Sequence, residues 1–335
     1  MSDWRDELDE DERESLKHTS MPKWTRPMLA TLTDERFSSP DWIYERKLDG
    51  ERCLVFRRKS RLHILSRNQQ DLNETYPELV DALGKQPPGH YIADGEIVAF
   101  KGNTTSFSRL QGRIGIKDID EARASGIKVY LYLFDLLYLG DYDTTGLPLR
   151  TRKGLLRRQF EFSDTLRFTA HRNQEGEKFY EQACRKGWEG IIAKRADSPY
   201  AHRRSRDWLK FKCVNQQELV IGGYTDPGGS RTGFGALLLG YYEDEELRYA
   251  GKVGTGFDDQ MLKELGDRLE SIVQEACPYA QIPDEASGNV HWVKPELVAE
   301  IGFTEWTDDH RLRHPRFLGL RRDKAARKVV REESQ

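Results

Sequence analysis

The sequence contains few cysteines, and their spacing is not that of a metal site. Only four of its 335 residues are cysteine, at Cys53, Cys184, Cys213 and Cys277, and no two of them form a C-x-x-C pair. Cysteines this far apart argue against a zinc site and against a disulfide framework. We therefore expect neither feature, and we expect a cytoplasmic protein.

Long apolar runs are also missing. The sequence has no window of roughly 18 apolar residues, the length that a membrane-spanning helix needs. The first residues are acidic, whereas a secretory signal is basic and then apolar. We expect a protein that neither spans nor crosses a membrane. No Walker-type G-x-x-x-x-G-K-[ST] loop occurs either.

Charged residues are abundant, and they are unevenly distributed. They make up 33% of the chain against 37% for the hydrophobic set, and the net charge is -3. Residues 1–14 contain eight acidic and two basic residues, whereas residues 311–335 contain nine Lys or Arg and three acidic residues. We expect the acidic start, residues 1–21, to be flexible because it offers almost no apolar period.

Apolar periodicity predicts two domains with a boundary near Gln217, covering residues 22–217 and 218–335. In the first domain the predicted strands are 43–47, 53–58, 62–66, 91–100, 128–138, 190–194 and 208–214, and the predicted helices are 76–83, 107–114, 152–159 and 177–186. In the second, the predicted strands are 218–224, 236–243, 247–253 and 297–305, with one helix at 258–276. Short strands with glycine-rich turns, including residues 228–235, are typical of a small OB-type barrel.

The stretch Lys47-Leu48-Asp49-Gly50-Glu51-Arg52 directly follows a predicted strand and forms a K-x-D-G-x-R pattern. A lysine amine attacks phosphorus only when it is neutral, so it needs neighbours or a metal that lower its pKa. Arg52 is suited to hold phosphate oxygens. The pattern indicates a nucleophilic Lys47, although taken alone it also fits an exposed hairpin with a solvated lysine.

Further clusters carry polar or aromatic groups on strands. Arg67 closes one strand, Asp94 and Glu96 share a strand face, Phe134 lies on the face of Tyr130 and Tyr132, and Glu189 opens an apolar strand. Each of these alone is compatible with an ordinary core or surface position. A carboxylate such as Glu189 is nevertheless a suitable Mg²⁺ ligand, because Mg²⁺ binds one or two carboxylates together with phosphate oxygens.

The strand around Trp208 gives a sharper signal. Its period of two places Arg206, Trp208, Lys210 and Lys212 on one face, and Leu209 and Phe211 on the other. Three cations on one strand face repel one another. Their repulsion is relieved when a polyphosphate lies between them, so this face predicts a triphosphate site.

In this order the clusters resemble the nucleotidyltransferase motifs of the ATP-dependent DNA ligases. The segment Leu320-Arg321-Arg322-Asp323-Lys324 resembles the R-x-D-K motif of their OB domain, and residues 222–257 and 314–319 are similar to the ligase domain of bacterial ligase D-type end-joining enzymes. The resemblance covers about residues 22–330. It implies an α+β fold, with a nucleotidyltransferase domain of antiparallel sheets flanked by helices, followed by an OB-fold β-barrel.

The resemblance also implies a role for each matching residue. Lys47 would carry AMP, Glu45 would meet the adenine edge, Phe134 would stack on adenine, and Arg52 and Arg67 would hold ribose and phosphate. Glu96 would contact the ribose hydroxyl or the metal, and Asp49 and Glu189 would order metal-bound water. Arg206, Lys210 and Lys212 would neutralise the triphosphate, and Arg321, Asp323 and Lys324 would orient the leaving pyrophosphate.

The implied protein is a monomeric ATP-dependent DNA ligase of the bacterial cytosol or nucleoid that uses Mg²⁺ or Mn²⁺ and acts in DNA repair. It would seal nicked or broken duplex DNA, and its basic end would contact the DNA backbone. A Ku-like end-binding protein or a separate repair polymerase is a possible partner. Two alternatives remain open: an RNA ligase or capping-type nucleotidyltransferase, and a non-catalytic OB-type DNA-binding scaffold.

Overall fold

The computed structural model describes residues 3–87, 89–213, 215–229, 232–283 and 290–332. The chain divides into two compact units, of which the first ends at Cys213 and the second covers the strands from Asn215 onward. Each unit has its own hydrophobic core. Part of the glycine-rich segment 228–235, which the sequence indicated as a turn, lies outside the described residues.

The elements of the first unit alternate between strands and short helices. Its strands are β1 (Lys17–His18), β2 (Leu29–Leu32), β3 (Trp42–Arg46), β4 (Glu51–Lys59), β5 (Arg61–Ser66), β6 (Gly89–Lys101), β7 (Thr104–Thr105), β8 (Val129–Leu139), β9 (Tyr142–Asp143), β10 (Leu166–Phe168), β11 (His171–Asn173), β12 (Gly190–Arg195) and β13 (Arg204–Lys212). Its helices are α1 (Glu10–Ser15), α2 (Pro77–Gly84), α3 (Phe107–Leu110), α4 (Ile119–Ala124), α5 (Leu149–Gln159) and α6 (Gly176–Arg185).

These strands form two sheets in the described part of the first unit. One runs β1-β9-β8-β6-β4-β5, with β7 beside β6 and β10 beside β8, and the other runs β11-β3-β12-β13-β2. The pairings are antiparallel except for β10 with β8 and β13 with β2. Strand β4 is buried on both faces: Cys53 and Val55 enter one cluster, and Leu54 and Phe56 enter the cluster that contains Phe134.

The acidic N-terminal segment, expected to be flexible, contains two short helices in the described residues. A 3₁₀-helix spans Trp4–Glu7 and is followed by α1. Asp9 and Glu12 form a reciprocal capping box at the start of α1. Leu8 is only 3% exposed and belongs to the main core of the unit. One well-placed apolar residue and a cap fix a segment that has little apolar periodicity.

The second unit is an OB-fold domain. Its strands are β14 (Asn215–Thr225), β15 (Leu237–Glu243), β16 (Glu246–Val253), β17 (Val273–Gln274), β18 (Val290–Val293), β19 (Val298–Phe303), β20 (Glu305–Trp306), β21 (Leu312–Arg313) and β22 (Arg316–Arg321), and its helix is α7 (Asp259–Glu270). The long strand β14 pairs with β15, β18 and β19, and β19 pairs with β22. Helix α7 buries Leu262, Leu265 and Leu269, a spacing that keeps one face on the core.

The structure contains a disulfide between Cys184 and Cys213, with the two Cα atoms 5.2 Å apart. The cysteine spacing argued against a disulfide framework, and it did not indicate this single bridge. Helix α6 packs on β12, which pairs with β13, so the end of α6 comes close to the residue after β13 despite a sequence separation of 29. Cysteine spacing alone does not reveal such a contact. No helix of the described residues is long and apolar enough to cross a membrane.

Candidate active site

Lys47 lies at the point where β3 ends. Its backbone N–H donates to the carbonyl of Gly190 at 3.0 Å, which holds the residue beside the start of β12. Its ammonium forms an ion pair with Glu189. The turn that follows requires glycine at position 50, because a Cβ atom there would lie 2.1 Å from the carbonyl oxygen of Ile97. The glycine of the K-x-D-G pattern is therefore required by a close backbone approach just after Lys47.

The surroundings of Lys47 favour its charged form. Burial acts to lower the pKa of Lys47, but the carboxylates of Glu189, Glu96 and Asp49 outweigh it and raise the pKa above the ordinary lysine value. The Lys47 side chain is 21% exposed, so a substrate can reach it. Without substrate, Lys47 is thus a protonated ammonium that must lose its proton before it can act as a nucleophile.

The three predicted metal ligands all lie near enough to Lys47 to raise its pKa, but they do not form a preassembled metal site. No cluster of three or more His, Cys, Asp or Glu side chains suited to a metal is found among the residues that the structure describes. The carboxylate of Asp49 accepts a hydrogen bond from the backbone N–H of Phe107 at 2.9 Å. Glu189 instead pairs with Lys47, and Glu96 lies on β6, directly opposite Arg52 in the register of β4 and β6.

Glu45 lies on β3, two residues before Lys47, and its carboxylate is held by two buried lysines. Lys153 on α5 donates to one oxygen at 2.5 Å, and Lys194 on β12 approaches the other at 2.6 Å. All three residues are 2% exposed. Burial acts to raise the pKa of Glu45, but the charges of Lys153 and Lys194 outweigh it and lower the pKa below the ordinary value. Glu45 is therefore an ionised carboxylate inside the protein.

Phe134 lies close to Glu45 in the interior of the first unit, where Lys153 and Lys194 contact both residues. A register shift in the β6–β8 pairing between Asp94 and Gly95 leaves Phe134 as the extra residue of a β-bulge, a device that often redirects a side chain beside an active site. Its ring centroid lies 4.3 Å from the Lys194 ammonium and 4.5 Å from the Arg52 guanidinium carbon. The Trp208 ring packs edge-on at 6.2 Å.

Arg52 is oriented by groups that the sequence did not single out as partners. Its Nε and Nη2 both donate to the carboxylate of Asp94 at 2.6 Å, and the hydroxyl of Tyr200 donates to the same carboxylate at 2.5 Å. Asp94 is fully buried. The guanidinium is thereby fixed over Phe134, which places a permanent positive charge in the pocket. Arg67 is half-buried in the turn after β5.

The strand face predicted to carry cations is present on β13. Lys210 and Lys212 are half-buried, and Leu209 and Phe211 enter a separate apolar cluster with Tyr44. Arg206 is exposed, in the part of β13 where the pairing with β2 shifts register. Trp208, on the lysine face, is buried and packs against Tyr200 and Phe134.

In the second unit the R-x-D-K residues form ion pairs within the unit. Arg321 donates through Nε and Nη2 to Asp323 at 2.8 Å, and Lys324 pairs with Glu218 at 2.7 Å. Arg321 also approaches Glu300 at 3.4 Å. Asp323 is 2% exposed, and its carboxylate orients the Arg321 guanidinium.

The sequence reasoning missed Lys153, Lys194, Trp208 and Tyr200 as pocket residues. A signal for Lys153 was available: it lies four residues after Leu149 and three before Leu156, so the helical period places it on the buried face of α5. Lys194 is next to the last residue of β12 and pairs in register with Trp208. It was predicted only as the end of the strand at 190–194, with no role in the site.

The first unit therefore combines a lysine beside carboxylates, a buried aromatic ring and a strand that carries cations. This combination is typical of a covalent nucleotidyltransferase. Residues 27–212 match the family model of the ATP dependent DNA ligase domain, and residues 230–324 match that of the ATP dependent DNA ligase C terminal region. The chain belongs to the ATP-dependent DNA ligase family.

Individual relatives agree with this membership. The chain is 38% identical over 321 residues to the multifunctional non-homologous end joining protein LigD of Pseudomonas aeruginosa, covering 94% of this chain and 37% of that protein. It is 32% identical over 312 residues to a probable DNA ligase of Dictyoglomus thermophilum, covering 84% and 52% of the two chains. The solved structure of mycobacterial DNA ligase D complexed with ATP and MES is similar, with a TM-score of 0.66 and 33% identity over 92% of this chain and 98% of that one.

Proposed function

We propose that this chain seals nicks or breaks in duplex DNA through an AMP group carried by Lys47. The observation that supports this proposal best is the position of Lys47, which is paired with Glu189 next to the pocket of Glu45 and Phe134. In the first step the Lys47 amine attacks the α-phosphorus of ATP. A P–N bond forms, the bond between the α-phosphorus and the bridging oxygen breaks, and pyrophosphate leaves.

The proton of Lys47 has an acceptor at hand in this step. Glu189 is already its ion-pair partner, so the proton can pass to the Glu189 carboxylate as the amine approaches phosphorus. The enzyme next transfers AMP to a 5′-phosphate, and the 3′-hydroxyl then attacks that phosphate and releases AMP. All three steps depend mainly on positioning and on neutralising phosphate charge.

The donor set beside Lys47 fits a hard divalent cation. Glu189 and Glu96 provide carboxylate oxygens, and Mg²⁺ needs only one or two of these when nucleotide phosphates supply the rest. We assign Glu96 to hold Mg²⁺ or Mn²⁺, and Asp49 and Glu189 to order the water bound to it. The bound cation would withdraw electron density from the phosphoryl group and neutralise negative charge on the phosphates.

The pocket at Glu45 suits an adenine base. Phe134 offers a ring for stacking, and the Glu45 carboxylate can accept a hydrogen bond from an amino group. The indole N–H of Trp208 and the hydroxyl of Thr169 are buried and lack a hydrogen-bond partner among the described residues. Unsatisfied polar atoms are costly when buried, so a polar ring that enters the pocket would relieve that cost.

The remaining cations have roles along the phosphates. Arg52 and Arg67 would hold ribose and phosphate, with Glu96 as a further ribose contact. Arg206, Lys210 and Lys212 would neutralise the triphosphate. The R-x-D-K residues of the second unit, Arg321, Asp323 and Lys324, would assist pyrophosphate departure. These assignments follow the ligase motifs that the chain carries.

We place this activity in end-joining repair, because the Pseudomonas relative is named for that process. The chain spans 37% of the length of that protein. A Ku-like end-binding protein and a separate repair polymerase would then act together with this chain. The proposal is tested by incubating the protein with nicked duplex DNA, a divalent metal and, in turn, ATP, GTP and NAD. Sealing with ATP alone is expected, and sealing with NAD alone would contradict it.

A further inference from the structure

Lys153 is a buried lysine without an assigned step in the reaction. Its ammonium donates to Glu45 at 2.5 Å, to the carbonyl of Thr169 at 3.0 Å and to the carbonyl of Phe134 at 3.4 Å. An ammonium has three N–H donors, so each of them has an acceptor here. Lys153 therefore has no donor left for a substrate, and its effect on the reaction must pass through the groups that it holds.

Two of these acceptors belong to the residues proposed to bind the base. One is the carboxylate of Glu45, which would face the adenine edge, and another is the backbone of Phe134, which would stack on the ring. Both residues lie in the interior of the first unit, on β3 and β8 respectively. The Lys153 ammonium on α5 thus connects Glu45, which would contact the edge of the base, with Phe134, which would contact its face.

Lys194, the second lysine on Glu45, is a weaker anchor for the charge of that carboxylate. Burial lowers the pKa of Lys194 to about 8, and the nearby Lys153 adds to that effect against the attraction of Glu45 and Asp135. Burial also lowers the pKa of His171, on the neighbouring strand β11, so this ring adds no charge at neutral pH. Both lysines lower the pKa of Glu45, Lys153 more than Lys194, and Lys153 also donates to the backbone of Phe134.

We propose that Lys153 is a positioning residue that holds Glu45 as an aimed carboxylate and thereby makes the site select adenine over 6-oxopurines. The inference rests on the proposed function, in which Glu45 meets the adenine edge. A carboxylate only accepts hydrogen bonds, so it favours the 6-amino group of adenine and repels the 6-oxo oxygen of hypoxanthine or guanine. Once Lys153 is lost, Lys194 alone holds the Glu45 carboxylate, which can then turn away from the position that selects the 6-amino group.

The test compares ATP with inosine triphosphate, which differs from ATP at position 6 and in carrying a proton on N1. The measured quantity is the ratio of kcat/KM for the two α-labelled nucleotides in forming the lysine adduct of the full chain. Lys153→Met is expected to lower this ratio roughly tenfold or more, the equivalent of one hydrogen bond to a charged group. A partly unfolded preparation lowers both rates equally, so the ratio reports selection and not stability.

Arg157→Met provides the matched control, because Arg157 is an exposed cation on the same helix. It is expected to keep the wild-type ratio. Lys153→Gln retains a hydrogen-bond donor without the charge, and it carries the test if Lys153→Met fails to fold. A ratio within twofold of wild type in a folded Lys153 variant would overturn the inference.

Glu45→Gln separates the inference from the function on which it rests. An amide can donate to a 6-oxo oxygen, so this variant is expected to lose the preference for ATP as fully as Lys153→Met does. If Glu45→Gln loses the preference while the Lys153 variants keep it, the role of Lys153 is wrong and the base-contacting role of Glu45 stands. If wild type, Glu45→Gln and Lys153→Met all keep the same strong preference for ATP, Glu45 does not read the base, and both assignments fail.

Discussion

Two carboxylates of the first unit, Glu189 and Glu45, are both paired with lysine, yet their surroundings differ. Glu189 pairs with a Lys47 side chain that is 21% exposed, whereas the lysines on Glu45 are 2% exposed. An ion pair that a substrate can reach can exchange its partner, so Lys47 can leave Glu189 for a phosphate. An enclosed pair cannot do so, and losing one partner strands a buried charge at a cost of several kcal/mol. The Lys47–Glu189 pair is therefore suited to take part in the reaction, and the pairs of Glu45 are suited to hold the structure of the site.

The strongest test of this contrast removes the lysine of the accessible pair. Lys47→Ala is expected to abolish the covalent adduct formed with α-labelled ATP and a divalent metal, because no other amine holds this position. The wild-type adduct should be lost in acid, where the P–N nitrogen is protonated, and should survive in base. Gel autoradiography measures it. Labelling of Lys47→Ala at the wild-type level would show that another residue is the nucleophile.

An ion pair in the second unit extends the comparison. The bidentate contact of Arg321 with Asp323 is enclosed like that of Glu45, yet we assign these residues to pyrophosphate departure. On that assignment, Asp323→Ala should reduce adduct formation from ATP on the order of 100-fold, since Arg321 loses the carboxylate that fixes its guanidinium.

The same Asp323→Ala protein should seal a pre-adenylated nick at a useful rate, because pyrophosphate leaves only in the first step. Thermal melting of the variant checks that the second unit is still folded. Normal labelling combined with failure on pre-adenylated nicks would reverse the assignment. The R-x-D-K residues would then contact DNA, a role for which an excess of arginine is also typical.

Substitutions of Phe134 test the enclosed part of the site, where the adenine base would bind. Stacking of a base on an aromatic ring contributes about 1–3 kcal/mol, so Phe134→Ala should lower kcat/KM for ATP by roughly 5- to 150-fold. Phe134→Tyr keeps a ring and should stay close to wild type. Steady-state kinetics with ATP measures both variants. Equal values for wild type, Phe134→Tyr and Phe134→Ala would return Phe134 to a purely structural role in the core.

Lys47, Asp49 and Arg52 lie within a stretch of six residues, so their pattern is visible as one motif. The resemblance also indicated Glu45 and Phe134, but nothing in the sequence indicated the two lysines that enclose Glu45. Lys153 lies 108 residues from Glu45 in the chain, and the two meet because α5 packs on β8 in the folded unit. Charged residues are rarely fully buried, so sequence reasoning assigns a lysine to solvent unless a partner is known.

The same distinction applies to the fold. Strands β4 and β6 were predicted with their central residues correct, because alternation is a local property, and the predicted helix at 258–276 ended earlier, at Glu270. The strand β17 has only two residues, too few to show a period, and its pairing with β18 defines it. The disulfide and the ordered N-terminal segment also depend on long-range contacts, which local patterns do not encode.

The disulfide gives the smallest expected effect on chemistry and tests whether the surroundings of Glu189 are rigid without it. Cys213 donates its backbone N–H to the carbonyl of Glu189 at 3.0 Å, so the bridge to Cys184 lies next to the accessible ion pair. A bridge between residues with a sequence separation of 29 is expected to stabilise the chain by about 3–4 kcal/mol, through the reduced freedom of the unfolded state.

Cys184→Ser, or treatment of the wild type with a dithiol, should therefore lower the melting temperature, whereas Cys277→Ser, at a free cysteine, should change it little. Adduct formation at 25 °C should stay within about twofold of wild type, because strands β12 and β13 pair over five registered positions and hold Glu189 without the bridge. If the melting temperature is unchanged, the bridge does not form in solution, and a large loss of adduct in a folded Cys184→Ser protein would mean that the accessible pair depends on the bridge for its geometry.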